Sequence, residues 1–153
     1  MLKIDEFQFK CSVGINGIKK NKNEGDLYTP KGRFKLKNLF YRADRKKNIS
    51  CKLNTIKIKK NMGWCDDPKS VYYNKLINIS KKIKCEKLFR KDNLYDYIIE
   101  INHNKKNKPF KGSAIFIHLT KNYKPTKGCI ALKEKDFRVL LKIITKETYL
   151  IIC

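Results

Sequence analysis

The sequence predicts a mainly β protein, a β-sandwich of one domain over residues 1–153 that carries a short C-terminal helix. Three observations lead there. Phe7, Phe9, Cys11 and Val13 alternate with Gln8, Lys10 and Ser12 in the period of a half-buried strand. Gly112 to Leu119 is nearly all apolar and rich in β-formers, as expected of the most buried strand. Only Lys133 to Lys146 takes up a helical period. There Phe137, Leu140, Leu141 and Ile144 fall at i, i+3, i+4 and i+7, with Glu134 and Asp136 in the first turn.

In chain order, the first strand runs to Val13, and Asn16-Gly17 then signals a type I′ hairpin turn, whose central residues need positive φ. A polar segment broken by Gly25, Pro30 and Gly32 follows. Arg33 to Leu36 alternates as a short strand, Leu39 to Arg45 has no clear period, and Ile56 and Ile58 alternate with lysines as another strand. Asn61 to Asn74 holds the only Trp, a Gly, two adjacent carboxylates and a Pro, and reads as an ordered loop whose Trp64 packs on the core. Lys75 to Arg90 reads as a short basic helix and a loop. Tyr95, Tyr97, Ile99 and Ile101, with Ile98 between, predict a central strand, and Tyr149 to Ile152 a closing one.

Composition narrows the function classes. A hydrophobic content of 41% with 11% aromatics excludes a disordered chain. No apolar run approaches the roughly 20 residues of a membrane span, and MLKIDEFQFK has no apolar core of a secretory signal. The charge of +23 suggests nucleic acid, but 32 of the 37 basic residues are Lys, spread along the whole chain. Ile (19) and Asn (14) far exceed Val (3) and Ala (3), so A/T-rich codons explain much of this surface. Nucleic acid is therefore not the expected partner, and attraction to anionic polymers such as cell wall is favoured over it. None of the six cysteines lies in a CxxC pair, so no structural zinc site is expected. Five read as small buried apolar residues. Cys129 reads as reactive.

Cys129 follows Gly128 directly, and His118 ends the apolar run before it. A thiol needs a base within hydrogen-bond reach, and two strand ends joined by a loop can supply one. Lys127 adds positive charge, and Gly128 lets the backbone approach a substrate closely, so N–H groups at Gly128 and Cys129 are candidate oxyanion donors. His103, in a Lys/Asn-rich loop, is expected to face solvent. Asp66 and Asp67 point apart if extended, and Asp92 and Asp96 are expected to pair with lysines.

From Gly112 to Leu132 the chain resembles the L,D-transpeptidase catalytic domain, the YkuD-like family, in which a strand-terminal His precedes a loop and a Ser/Thr-His-Gly-Cys motif. The matching residues are His118 and Thr126-Lys127-Gly128-Cys129. The likeness extends to Glu24-Gly25-Asp26, Thr29-Pro30 and Gly32, and to Tyr41 through Arg45. Gly63 through Pro68, Tyr73-Asn74, Leu94-Tyr95-Asp96 and Gly112 through Phe116 resemble a compact branch of the family. The resemblance implies that Cys129 is the nucleophile, His118 its base and Gly128 part of the oxyanion hole. It implies acyl transfer on peptidoglycan stem peptides: an acyl-thioester forms on Cys129, D-alanine leaves, and an amine accepts the acyl group. No metal or organic cofactor is implied, and the location implied is the periplasm or cell envelope. A monomer is expected. Lys127 stands where the motif has His, and Ala131 where Arg or Asn is usual. Arg42, Arg45 or Lys127 is therefore expected to hold the substrate carboxylate, and Tyr73 to line the cleft. The alternatives are an L,D-carboxypeptidase or amidase that uses water, and a catalytically inactive basic module that binds anionic polymers.

Overall fold

The computed structural model describes residues 1–4, 6–79 and 83–153. Its strands are β1 (Leu2–Ile4), β2 (Phe7–Phe9), β3 (Ile18–Lys19), β4 (Thr29–Pro30), β5 (Gly32–Tyr41), β6 (Thr55–Lys57), β7 (Met62–Cys65), β8 (Leu76–Asn78), β9 (Cys85–Lys87), β10 (Tyr97–Ile101), β11 (Phe116–Leu119) and β12 (Ile130–Leu132). The helix α1 (Glu134–Ile143) and the strand β13 (Tyr149–Ile152) complete the chain. The mainly β architecture with one short helix near the C-terminus is as the periodicity predicts.

The principal sheet has the order β12-β11-β10-β5-β13, with β6 also paired to β5. β5 is long enough to serve several partners: β13 pairs with Gly32–Lys35, β10 with residues between Leu36 and Tyr41, and β6 with Leu39–Tyr41. All residues of β10 are buried, which explains the apolar residues at both of its parities. Tyr97, Ile99 and Ile101 join Leu39, Ile117, Leu119, Ile130 and Leu132 in one core, which α1 covers with Phe137, Leu140 and Leu141 and the residue that caps it, Ile144, completes. Ile98, Phe40 and Phe116 face the other way, toward a three-stranded sheet of order β8-β7-β9. Trp64 on β7 reaches across, edge-on to Phe116 at 5.1 Å and to Phe40 at 6.2 Å. Contacts of this kind add about 0.5–1.5 kcal/mol each beyond their buried area.

Several expectations are corrected. Asn61–Asn74 is not all loop, because Met62–Cys65 is the middle strand of the small sheet. Lys75–Arg90 contains β8 and β9 rather than a helix, with residues 80–82 of that range outside those described. The two strands pair with β7, one on each side of it, and that pairing with a distant segment decides their conformation. Leu39–Tyr41 belongs to β5 rather than to an irregular stretch. Asn16-Gly17 is a turn, but only Gly17 has positive φ, and its N–H donates to Gly14 O at 2.8 Å. The following β3 pairs parallel with β4, so no type I′ hairpin forms. β1, too short to show a period, pairs with β2.

Candidate active site

β11 and β12 run parallel, with Ile117 beside Ile130, His118 beside Ala131 and Leu119 beside Leu132. Side chains alternate across a sheet, so Phe116, His118 and Ala131 share the face opposite the helix-side core, and Cys129, two residues before Ala131, joins them. Parallel neighbours need a crossover, and the connection 120–129 is short for one. Residues 12–15 hold it down. Ser12 and Ala131 exchange N–H···O bonds of 2.9 and 3.0 Å, and Thr126 is bonded to Val13 O and Ile15 N at 2.9 Å each. Within the loop, Thr126 Oγ1 donates to Cys129 O at 2.5 Å and accepts the Gly128 N–H at 3.1 Å. Gly128 has φ +139, and a Cβ there would stand 2.9 Å from Tyr28 O, so only glycine fits.

The Cys129 thiol donates to Ala114 O at 3.2 Å and accepts the Phe116 N–H at 3.4 Å. Ala114 is presented by a left-handed backbone (φ +52), and its N–H donates to Asn74 Oδ1 at 3.2 Å. Asn74 also accepts from Trp64 Nε1 at 3.0 Å, which ties the β7 region to the residue whose carbonyl accepts from Cys129. Such a conformation costs an alanine about 1–2 kcal/mol and is found where surrounding structure enforces it. His118 is 8% exposed, and its ring edge meets Tyr95 at 5.3 Å. Its Nδ1 lies 2.8 Å from Leu119 O, which assigns the proton to Nδ1 and leaves Nε2 as the basic atom. Because Cys129 lies beside Phe116, about two residues (~7 Å) along the strand from His118, the resting thiol bonds to Ala114 and not to the imidazole.

Burial, reinforced by the charge of Glu86, pushes the Cys129 thiol up to about 12, against smaller downward contributions from the Phe116 N–H and Lys22. Burial also lowers His118, and the Leu119 carbonyl only partly opposes it. Both groups are thus neutral at pH 7. Two neutral groups do not form a resting thiolate–imidazolium ion pair.

Cys129 and His118 line a cleft of about 770 Å³ with Lys127, Arg90, Glu86, Tyr95, Asp66, Glu24 and Lys22. Of the residues expected in the site, Cys129, His118 and Lys127 meet here. Gly128 adjoins them, but its N–H is spent on Thr126 Oγ1. The two arginines lie elsewhere. Arg42 is 3% exposed; it grips Asp44 and Arg90 O and lies over the Phe89 ring. Arg45 holds Asp96 and the carbonyls of Lys91 and Asp92. Neither lines the cleft, because each is consumed in tethering residues 90–96. Tyr73, 2% exposed, is also outside it and donates its hydroxyl to Glu24. His103 is half-buried, bonded to Lys111 O and edge-on to Phe34. Asp92 pairs with Arg90, and Asp96 with Arg45 as well as Lys46. Cys65 is fully buried, Cys11, Cys51 and Cys85 partly, and Cys153 is exposed.

Sequence reasoning missed Arg90, Glu86, Tyr95 and Lys22. Tyr95 donates to Glu86 and packs against both His118 and Phe116. Arg90, over the Tyr95 ring at 4.9 Å, is a cation on the cleft wall. Lys22 is only 5% exposed, a burial that a run of lysines and asparagines does not reveal. Its spacing of four from Asp26 is the one signal that was available.

The family profile described as YkuD, L,D-transpeptidase catalytic domain, matches residues 4–152. No curated protein and no solved structure matches the chain.

Proposed function

The chain belongs to the YkuD family of L,D-transpeptidase catalytic domains, and from that premise we propose that it is an active cysteine acyltransferase on peptidoglycan stem peptides. What supports the reading is the meeting of Cys129 with a His118 whose Nε2 carries the free lone pair, on one sheet face in a cleft large enough for a peptide.

The thiol rotates from Ala114 O toward His118 as substrate enters. Nε2 takes its proton while Sγ attacks the carbonyl carbon of the third stem residue. The tetrahedral intermediate collapses, the C–N bond breaks, and D-alanine leaves with the proton held on Nε2. A thioester remains on Cys129. An acceptor amine then gives a proton to Nε2 as it attacks that thioester, and the thiol is restored with the proton returned. Lys127 and Arg90, cations on the cleft wall, bind the substrate carboxylate in place of Arg42 and Arg45. The reaction places the protein at the cell envelope, where its substrate lies, and it acts there as a monomer. No helix of the described residues is long and apolar enough to cross a membrane.

Intact mass is the test. The purified protein is incubated with a diaminopimelate-containing tetrapeptide or a carbapenem, alongside Cys129→Ala and His118→Ala. An acyl adduct on the wild type alone, with D-alanine released from the peptide, is expected. No adduct and no D-alanine overturns the reading. Product mass with and without an added amine separates transfer from hydrolysis.

A further inference from the structure

We propose that Lys22 is the cation that stabilises the negative charge developing at Gly128–Cys129, on the sulfur and on the oxygen of the attacked carbonyl. The role on sulfur concerns the cysteine alone; the role on the carbonyl oxygen rests on the acyl-transfer reading above.

The argument begins with how this lysine is held. Its side chain is 3% exposed, an uncommon state for an ammonium, which loses several kcal/mol of hydration unless other groups replace it. Nζ donates to Asp26 Oδ1 at 2.7 Å and to Asn23 O at 3.3 Å. An ammonium has three protons, so among the described residues one remains beyond these two acceptors. Asp26 is fixed in turn by the N–H groups of Asn23 and Tyr28 at 2.7 and 3.1 Å. Burial alone would raise the Asp26 carboxyl, but these bonds and Lys22 outweigh it and hold it below its usual value. The carboxylate is therefore charged.

Two glycines direct this ammonium to the nucleophile. A Cβ at Gly112 would stand 3.2 and 3.3 Å from Lys22 Cε and Cδ, and one at Gly128 would stand 3.3 Å from Nζ. The side chain thus runs past Gly112 and ends against Gly128, the residue before Cys129, in the wall of the cleft. The N–H of Gly128 is taken by Thr126 Oγ1, so the usual backbone donor at this position is occupied. A charged donor fixed at the same place serves that role with no reorganisation. It also opposes Glu86, whose charge disfavours the thiolate. An alternative purpose, that Lys22 only staples the 22–28 turn through Asp26, predicts a loss of stability and no change in the thiol.

The experiment compares wild type, Lys22→Met and Lys22→Arg. The first readout is the rate of Cys129 alkylation by iodoacetamide against pH, followed by intact mass in a background where the other five cysteines are serine. Lys22→Met is expected to shift the profile to higher pH and to slow alkylation several-fold at a fixed pH, with Lys22→Arg restoring much of the wild-type rate. The second readout is acylation by carbapenem, where Lys22→Met is expected to lose about 10²–10³-fold, as removal of an oxyanion donor does. Should Lys22→Met lose its cooperative melt, Lys22→Gln, which keeps a donor at the site, replaces it. An unshifted alkylation profile in a folded neutral variant overturns the inference. Alkylation needs no peptide, so a shifted profile without acylation of any variant sustains the electrostatic role on sulfur while refuting the acyltransferase reading.

Discussion

Replacing Arg42 with alanine separates a structural arginine from a substrate-binding one. Its guanidinium donates to Arg90 O at 2.5 Å and lies 3.6 Å from the centre of the Phe89 ring, at 3% exposure. A hydrogen bond to a charged group contributes about 1.5–3 kcal/mol, and a desolvated cation over an aromatic face about 0.5–2 kcal/mol. The pairing with Asp44, which holds that carboxyl down to about 2, is open to water and is left out of the sum. The expected loss is therefore about 2–5 kcal/mol. At about 2–4 °C per kcal/mol for a chain of this size, Tm falls by roughly 4–20 °C. Differential scanning calorimetry reads the fall, and carbapenem acylation measured well below the variant's Tm is expected to persist, weakened only as far as Arg90 loses its tether. An unchanged Tm with a raised KM for the stem peptide would return Arg42 to the substrate and refute the reasoning.

Other outcomes follow from the same contacts. Tyr73→Phe removes the hydroxyl that Glu24 accepts and is expected to cost about 1–3 kcal/mol in denaturant melts, with KM unaffected. Arg90→Ala is expected to raise KM for a substrate with a free carboxylate more than for its amide, because Arg90 is on the cleft wall; equal effects would exclude carboxylate binding. Glu86→Gln removes a charge that disfavours the thiolate, so Cys129 alkylation at pH 8 is expected to quicken; a slower reaction contradicts the assignment. His118 and His103 are both lowered by burial from a usual value of about 6.5. Their neutral forms fit the fold, so their contribution is complete above that pH and is lost as pH falls below it. A plot of Tm against pH is expected to drop on acidification below ~6.5, and to flatten in a His103→Gln, His118→Gln double variant.

The parts of the fold legible in the sequence are those with their period written into one segment. β10 shows both its faces because both are buried, and α1 shows one because only Phe137, Leu140 and Leu141 reach the core. β8 and β9 had no such signal. Their burial is partial, and what makes them strands is β7 between them, a partner more than ten residues away in sequence for one and twenty or more for the other. β7 itself carries Gly63, whose missing side chain leaves room for Cys85, and a strand interrupted by glycine reads as a loop. Tertiary pairing decides these elements, and local composition is silent about it.

In the candidate site, His118 and Cys129 were legible because strand ends and a Gly-Cys step are local features. The charged groups around them were not, since whether an arginine grips a substrate or a carbonyl depends on what the fold brings to it. Arg42 and Arg45 sit in a segment dense with charge, yet both are consumed in holding residues 90–96. That tether places Arg90 and Tyr95 on the cleft wall, so the two arginines shape the site without entering it. The same logic applies to Lys127. Standing where the motif has a histidine, it is exposed at the cleft mouth, while the buried ammonium next to Gly128 comes from Lys22, far away in sequence. Cationic charge near Cys129 is therefore carried by two lysines of different character. The solvated one suits a mobile carboxylate; the desolvated one, anchored by Asp26, suits a charge that exists only while the bond is being made.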